Sequence, residues 1–465
     1  MIVMKFGGTS VGSTEQIRAV AGIVAKAQSR SPVVVLSAMA GMTDRLIEAG
    51  EKAGAGQEAA VARMTREIRS RHDAVISGLI RGERDREALR SALQPVWAEM
   101  EKVFTGVLLL RELSPRSRDL IATFGERLIV PIFAACLREE GIDARPLDSR
   151  SIVTIREETE PALVDFKRTR LRCRKVVTQV RRGRVPVLGG FISATPDGIT
   201  TTLGRGGSDY TASVIGHSIA AEEIEIWTDV DGVMTADPRI VPGARVLEQI
   251  SYKEAAEMAY FGAKVLHPKT ITPAADLGIP IRIRNTMNPG APGTLITAES
   301  PPHHQGVKTV TSINELALVS IEGPGMIGVP GTAERAFRAI AEQRINVLMF
   351  SQGSSEQHIS LVVARQQGPR TVRALRREFR PEIEERQVDR VSEVSEIAVI
   401  ALVGEGMKSI PGIAARTFGA IGDPPVNILM IAQGSSELNL SFVVEQRDAA
   451  SVVARIHGAF RLGAA

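Results

Sequence analysis

Four glycine-flanked stretches of this 465-residue chain carry charged side chains in otherwise apolar surroundings. The first is its opening, MIVMKFGGTS, where Lys5 interrupts a run that reads as a buried strand and Gly7 and Gly8 follow at once. A lysine is almost never fully buried without a partner, because desolvating the ammonium is costly. Paired glycines permit a tight turn and a close approach to the backbone. A helix capped by Thr9 or Ser10 would add free amides and a positive dipole end. Together these make a place for an anion, although an ordinary strand-to-helix turn with a snorkelling lysine has the same composition.

The second stretch, TTLGRGGSDY (Thr201–Tyr210), sets Arg205, Ser208 and Asp209 in a glycine-rich turn ahead of a helix from about Thr211. It reads as a site or as a helix cap by Ser208 or Asp209. The third, WTDVDGVMTADPR (Trp227–Arg239), follows a buried strand, so Thr228 and Asp229 would lie where ligands of parallel sheets sit, at the carboxyl end. The fourth, FGAKVLHPK, offers Lys264 after a glycine turn. No G-x-x-x-x-G-K-[ST] and no well-placed G-x-G-x-x-G occurs, which disfavours P-loop and Rossmann readings. Cys136 and Cys173 lack metal-ligand spacing and the seven histidines are scattered, with only His303 and His304 adjacent. Neither zinc nor a Cys/His catalytic site is indicated, and a reduced, cytoplasmic setting is expected.

The elements that must position these groups alternate. Pro32–Ser37, Val185–Phe191 and Ile224–Trp227 read as strands buried on both faces, with amphipathic stretches between them, including a helical hairpin over Ala59–Val107. This pattern predicts an α/β domain with a mostly parallel sheet, ending at the strand Pro280–Arg284. TAESPPHHQG (Thr297–Gly306) reads as a linker. No apolar run is counted as long enough to span a membrane, and a first strand at Met1 leaves no room for a signal peptide. The net charge is +4, and the basic stretch Lys167–Arg184 has no aromatic residues between its charges to stack bases. It reads as a solvated helix face, with no nucleic-acid and no membrane partner.

Beyond the linker the chain repeats itself. Met326–Val363 aligns without a gap on Met407–Val444, 81 residues further on, with about half the positions matching. Each copy reads as helix, strand, polar turn, strand, after a leading strand at Leu316–Ile321 or Ile397–Val403. Two copies predict a pair of small βαββ-type modules packed side by side.

KFGGTSVGS, TFGERL (Thr123–Leu128), TTLGRGGSDYTA, WTDVDGVMTADPR and FGAKVLHPKT resemble, in order and spacing, the signature blocks of aspartate kinases. The resemblance covers the whole chain, and the repeats are similar to that family's tandem ACT regulatory domains. It implies an amino-acid-kinase αβα sandwich over 1–297, a linker over 298–312, and ferredoxin-like α+β ACT domains over 313–392 and 393–465, the last segment being a candidate to complete the first. With no homoserine dehydrogenase extension before Ala465, a monofunctional enzyme is expected.

The implied reaction takes ATP, with Mg²⁺, and L-aspartate to 4-phospho-L-aspartate, the first step of lysine, threonine and methionine biosynthesis. By resemblance Lys5 reaches the transferred phosphoryl group while the Gly7 and Gly8 amides cradle its oxygens, and Asp209 orients the reacting centre. Arg205 holds the substrate's α-carboxylate, Glu126 its α-amino group, and Thr43 and Ser208 add hydrogen bonds. Thr228, Asp229, Met234, Arg239, Lys264 and Val265 fall where the family binds nucleotide, although some relatives have tyrosine where Met234 stands. Asn346 and Gln352, matched by Asn427 and Gln433, are the expected effector residues, with threonine the first choice of effector and lysine the alternative. A homodimer or homotetramer through the ACT domains is expected.

Overall fold

The computed structural model describes residues 1–156, 163–262, 266–299, 301, 306–353, 357–407, 410–432 and 438–463. The chain divides into two compact units. The first comprises Met1–Val233, Glu248–Ala256 and Lys264–Ser300, the second Met234–Leu247, Glu257–Ala263 and Pro301–Ala465.

In the first unit the strands are β1 (Ile2–Phe6), β2 (Pro32–Leu36), β3 (Ala144–Leu147), β4 (Val185–Gly189), β5 (Ile192–Ala194), β6 (Thr200–Thr202), β7 (Glu223–Thr228), β8 (Gln249–Ser251), β9 (Ile281–Asn285) and β10 (Thr294–Thr297). Among the described residues one sheet runs β3-β4-β2-β1-β7-β9-β10-β8, and β5 and β6 form a separate hairpin. Every pairing in the larger sheet is parallel except β9 with β10. IVMKF and PVVVL are buried at every position, as central parallel strands must be when helices cover both faces. PIRIR is therefore not the last strand: β10 turns back on it antiparallel and β8 lies outside β10. The four residues of TLIT alternate too briefly to be legible as a strand on their own.

The expected helical hairpin is present as Glu58–Leu79 and Glu83–Leu110. By length and composition the stretch Pro115–Glu139 is apolar enough to cross a membrane, but 83% of its most apolar window is buried inside the protein. Glu126 and Arg127 break the run in sequence, while Phe124, Leu128, Ile129, Ile132 and Phe133 around them are fully buried. The basic stretch forms two short helices, Phe166–Arg172 and Arg174–Arg181, which bury Thr169 and Val176 and expose Lys167, Arg168, Arg170, Arg174 and Lys175. Glu225, inside the buried strand β7, is satisfied by Arg30 (2.6 Å) and the Trp227 indole N–H (2.9 Å).

The second unit is built on β11 (Thr309–Glu322), β12 (Val347–Gln352), β13 (His358–Ala364), β14 (Arg390–Val403), β15 (Met430–Ala432) and β16 (Asn439–Glu445). Their order is β12-β13-β11-β14-β16-β15, antiparallel throughout. The repeat persists down to backbone angles. Gly331 and Gly412 precede their helices at φ 88° and 87°, and Glu315 and Glu396 take φ 59° and 57°.

The two modules are nested rather than consecutive. One core gathers Ala317, Val319, Ile321, Ile340, Leu361, Leu375 and Val391. The other joins Val307 and Val310 to Ala398, Ile400, Leu402, Phe442, Val453 and Phe460. The residues ahead of the first repeat thus complete the second module, not the reverse. The cause is that β11 and β14 are both fourteen residues long and pair along their whole length, with register shifts between Ile313 and Ala317. β11 also starts inside the stretch 298–312 read as linker, because TVTSI alternates only briefly after a polar run. His303 and His304 lie outside the described residues.

Candidate active site

Lys5 projects from β1 between Val35 of β2 and Ile226 of β7, its partners in the parallel register. It is 8% exposed, and its Nζ lies 2.5 Å from Asp209 Oδ1. Asp209 sits in the first turn of the helix Gly207–Ile219, where the helix dipole favours a carboxylate. The approach to that helix is fixed by glycine: Gly206 has φ 71°, and a Cβ there would fall 2.5 Å from that of His267. Upstream, Asp119 accepts from the Thr201 and Thr202 hydroxyls at 3.0 and 3.2 Å and anchors β6 at the start of the loop.

A cavity of about 370 Å³ opens here, lined by Lys5, Gly8, Thr43, Glu126, Arg205, Ser208 and Asp209. Its charges are of two kinds. Lys5 and Asp209 form an ion pair. Arg205 is exposed and makes no hydrogen bond or ion pair among the described residues, so its planar fork is available to a carboxylate. Glu126 is 3% exposed, and its Oε2 has no hydrogen-bond partner among the described residues. Burial pushes its carboxyl up to about 8, against hydrogen bonding from the backbone of Ala38 and of Glu126 itself.

The structure brings together seven of the residues singled out above and distributes the rest. The Gly7 amide is engaged with the Trp227 carbonyl at 3.1 Å, so it is not free to cradle an oxygen as the resemblance implied. β1 and β7 are adjacent parallel strands, and their ladder extends one residue past Phe6. A cradle would therefore have to start at Gly8, which packs so closely on the Ala38 carbonyl that a Cβ would come to 2.8 Å. Thr228 ends β7 and donates to the exposed Asp229 at 3.2 Å. Met234 and Arg239 belong to the second unit, where the Arg239 guanidinium is paired with Asp237 at 2.5 Å and points into solvent. Asn346, Gln352 and Asn427 are exposed in that unit. Lys264, Val265 and Gln433 lie outside the described residues, as do 354–356 of the QGSSE turn.

Sequence reasoning missed several groups. Phe191 lines the cavity at φ 67° and donates its amide to Thr211 Oγ1 at 2.9 Å. Gly190, beside it, faces Ser208 so closely that a Cβ would come within 2.5 Å. Ser10 and Thr286, both buried, join hydroxyls at 2.7 Å and tie the glycine turn to the end of β9. Only the GGF of VPVLGGF carried a signal, as a strand that ends on two glycines. Among the described residues no group of three or more His, Cys, Asp or Glu is placed to hold a metal ion.

The model of the amino acid kinase family matches residues 1–285, and an ACT domain model matches 319–379 and 400–460. Aspartokinase 1, chloroplastic, of Arabidopsis thaliana is 33% identical over 473 residues, covering 98% of this chain and 80% of that protein. The bifunctional aspartokinase/homoserine dehydrogenase 1 of the same plant is 35% identical over 466 residues, covering 99% of this chain and 51% of that protein. The chain thus spans about half the length of the bifunctional curated relatives. Among solved structures, E. coli aspartokinase III in complex with aspartate and ADP (R-state) matches with a TM-score of 0.83 at 29% identity over 99% of each chain. The same enzyme with lysine and aspartate (T-state) gives a TM-score of 0.79 at 30% identity, covering 98% of this chain and 99% of that one.

Proposed function

The chain belongs to the aspartokinases of the amino acid kinase family, and we propose that it transfers the γ-phosphoryl group of ATP to the side-chain carboxylate of L-aspartate, giving 4-phospho-L-aspartate. The observation that carries this reading is the arrangement of charge in one cavity: an unpaired guanidinium, a buried carboxyl and a lysine held by a carboxylate. An amino acid with a second carboxylate complements all three. Arg205 takes the α-carboxylate, Glu126 the α-ammonium, and Thr43 and Ser208 supply hydrogen bonds. The side-chain carboxylate is then presented toward Lys5.

That carboxylate is ionised near neutral pH, so the attack requires no general base. Phosphoryl transfer depends on alignment and on neutralising charge over the transferred group. Lys5, held in place by Asp209, supplies a fixed positive charge at the carboxyl end of the sheet, and the amides from Gly8 onward add donors. Thr228 and Asp229, at the end of the neighbouring strand, would contact the nucleotide. Met234, Arg239, Lys264 and Val265 keep the nucleotide role that the family resemblance gives them. Magnesium would enter on the nucleotide phosphates, which suits a site with few acidic ligands of its own, and would neutralise phosphate charge.

The ACT modules would bind an amino-acid effector through Asn346, Gln352, Asn427 and Gln433, threonine first and lysine as the alternative. Support comes from the matched Asn346 and Asn427, both exposed. The exposed Phe350 and Ile431, on the sheet-edge strands β12 and β15, favour pairing with a second copy as a homodimer or homotetramer. Two buried free cysteines suit a cytoplasmic setting.

ADP release measured with aspartate, glutamate, N-acetylglutamate and carbamate as acceptors, with and without threonine or lysine, tests the reading. Aspartate should be preferred by orders of magnitude. Comparable turnover with another acceptor would overturn it.

A further inference from the structure

Glu126 borders two cavities. In front lies the substrate cleft, and behind it lies a second cavity of about 200 Å³, walled by Val96, Val130, Pro131 and Ile192 and by the charged side chains of Arg127, Asp148 and Arg150. Among the described residues no formal charge is committed to Glu126 from either side. In front, Lys5 is held by Asp209, Asp44 would only repel an anion, and Arg205 is exposed on its loop. Behind, Arg127 is held by Glu99, with Nη1 to Oε1 at 3.1 Å, and Arg150 by Asp148 at 2.6 Å. From β4, Gly189 closes against the side chain, a Cβ there falling 3.0 Å from that of Glu126. A carboxylate 3% exposed with one oxygen unpartnered is poorly stabilised as an anion.

We infer that Glu126 carries a proton while the cleft is empty and releases it when an α-ammonium group arrives, so that capture of the amino-acid substrate is proton-linked. This rests on the aspartate reading above and extends it. The balance is simple: the neutral carboxyl loses its proton to solvent, and the carboxylate left behind pairs with the incoming –NH₃⁺. The rear cavity gives that proton a way out that the bound substrate does not block. Burial holding the carboxyl at about 8 agrees with this protonation state at neutral pH. The device also selects: an acceptor lacking the ammonium gains nothing from ionising Glu126 and leaves the proton where it is.

Isothermal titration of aspartate into the full-length protein at pH 7, in buffers of different ionisation enthalpy, should show release of about 0.9 proton per site. Succinate, which lacks the amine, should release none. Aspartate affinity should weaken about tenfold per unit as the pH falls below 8, with ATP affinity unchanged. Glu126→Gln should abolish both the proton release and the pH dependence. Independently of any substrate, the infrared spectrum of the empty protein at pH 6.5 should contain a buried carboxylic-acid band that is lost in Glu126→Gln. Aspartate binding without proton release, or absence of that band, overturns the inference and leaves the kinase reading intact. Failure of aspartate to bind would instead count against the kinase reading, with the band still deciding the state of Glu126.

Discussion

Replacing Lys5 by Met should destabilise the protein as well as silence it. From the sequence alone, removing a charge from a buried strand looks neutral or stabilising. The structure reverses that expectation, because the ammonium sits 2.5 Å from Asp209 with side-chain exposures of 10% and 16%. Removing one member of a buried pair costs ~3–5 kcal/mol, since the remaining charge stays behind without compensation. The cleft admits solvent on one side, which lowers the cost to about 2 kcal/mol. For a unit of this size that corresponds to a fall in Tm of about 4–8 °C. Asp209→Asn should produce a similar loss by stranding Lys5. In the double variant Lys5→Met/Asp209→Asn neither charge remains, so most of the lost Tm should return, with a coupling energy of ~1–3 kcal/mol. All three variants should keep less than about one thousandth of the wild-type turnover, because the positive charge at the phosphoryl group is gone or misplaced. Thermal unfolding of the full chain and coupled ADP-release assays give both quantities. Strictly additive losses of stability would refute the pairing, and an active Lys5→Met protein would refute the role of Lys5 in the chemistry.

Arg205→Lys keeps the charge but loses the fork, so KM for aspartate should rise at least tenfold with KM for ATP nearly unchanged; steady-state kinetics in both substrates check this. Gly190→Ala places a methyl against Ser208 and should lower kcat/KM for aspartate by about tenfold or more while the protein stays folded by circular dichroism. Because the Glu126 carboxyl is raised from 4.5 to about 8 in the folded protein, its contribution to stability is complete below pH 4.5 and is lost as the pH rises through 8. Glu126→Gln should therefore gain stability relative to wild type from pH 5 to 8, on the order of a few kcal/mol and read as a rise in Tm, and the gain should level off above pH 8. Gln352→Ala should weaken inhibition by the amino-acid effector and leave uninhibited turnover near normal, as inhibition curves with threonine and with lysine would reveal.

What could be read from the sequence follows from how local each signal is. β1, β2, β4 and β7 are continuous apolar runs, and the helical hairpin carries its own periodicity, so both were visible. β10 and the start of β11 are short alternations whose strand character depends on the neighbour they pair with. The cleft residues on glycine-rich loops were found because loop, charge and helix start lie within ten residues. The Lys5–Asp209 pair could not be read from spacing, since 204 residues separate its members and only the parallel sheet brings them together. Asp119, Gly190 and Thr286 were missed for the same reason: each acts on a partner distant in the chain. Arg239 lies in a conspicuous motif, but its pairing with its own neighbour Asp237 is a local contact that the motif does not announce.

The nesting in the second unit bears on how the chain can be made and cut. On a ribosome the strand residues 309–313 emerge before the first module, yet their partners in β14 follow more than eighty residues later. The first module, continuous from Leu316 to Val391, can fold as soon as it has left the exit tunnel. Its completion brings the two flanking segments together and so closes the loop on which the second module depends. Closing so long a loop without that help costs more entropy, although only logarithmically in length. Ile313 and Val399 face each other across the ladder, about 5 Å apart. A tight turn joining them would excise the first regulatory module and leave the second the paired segments Thr309–Ile313 and Val399–Val403, at the loss of the Ile397 and Ala398 pairings with β16.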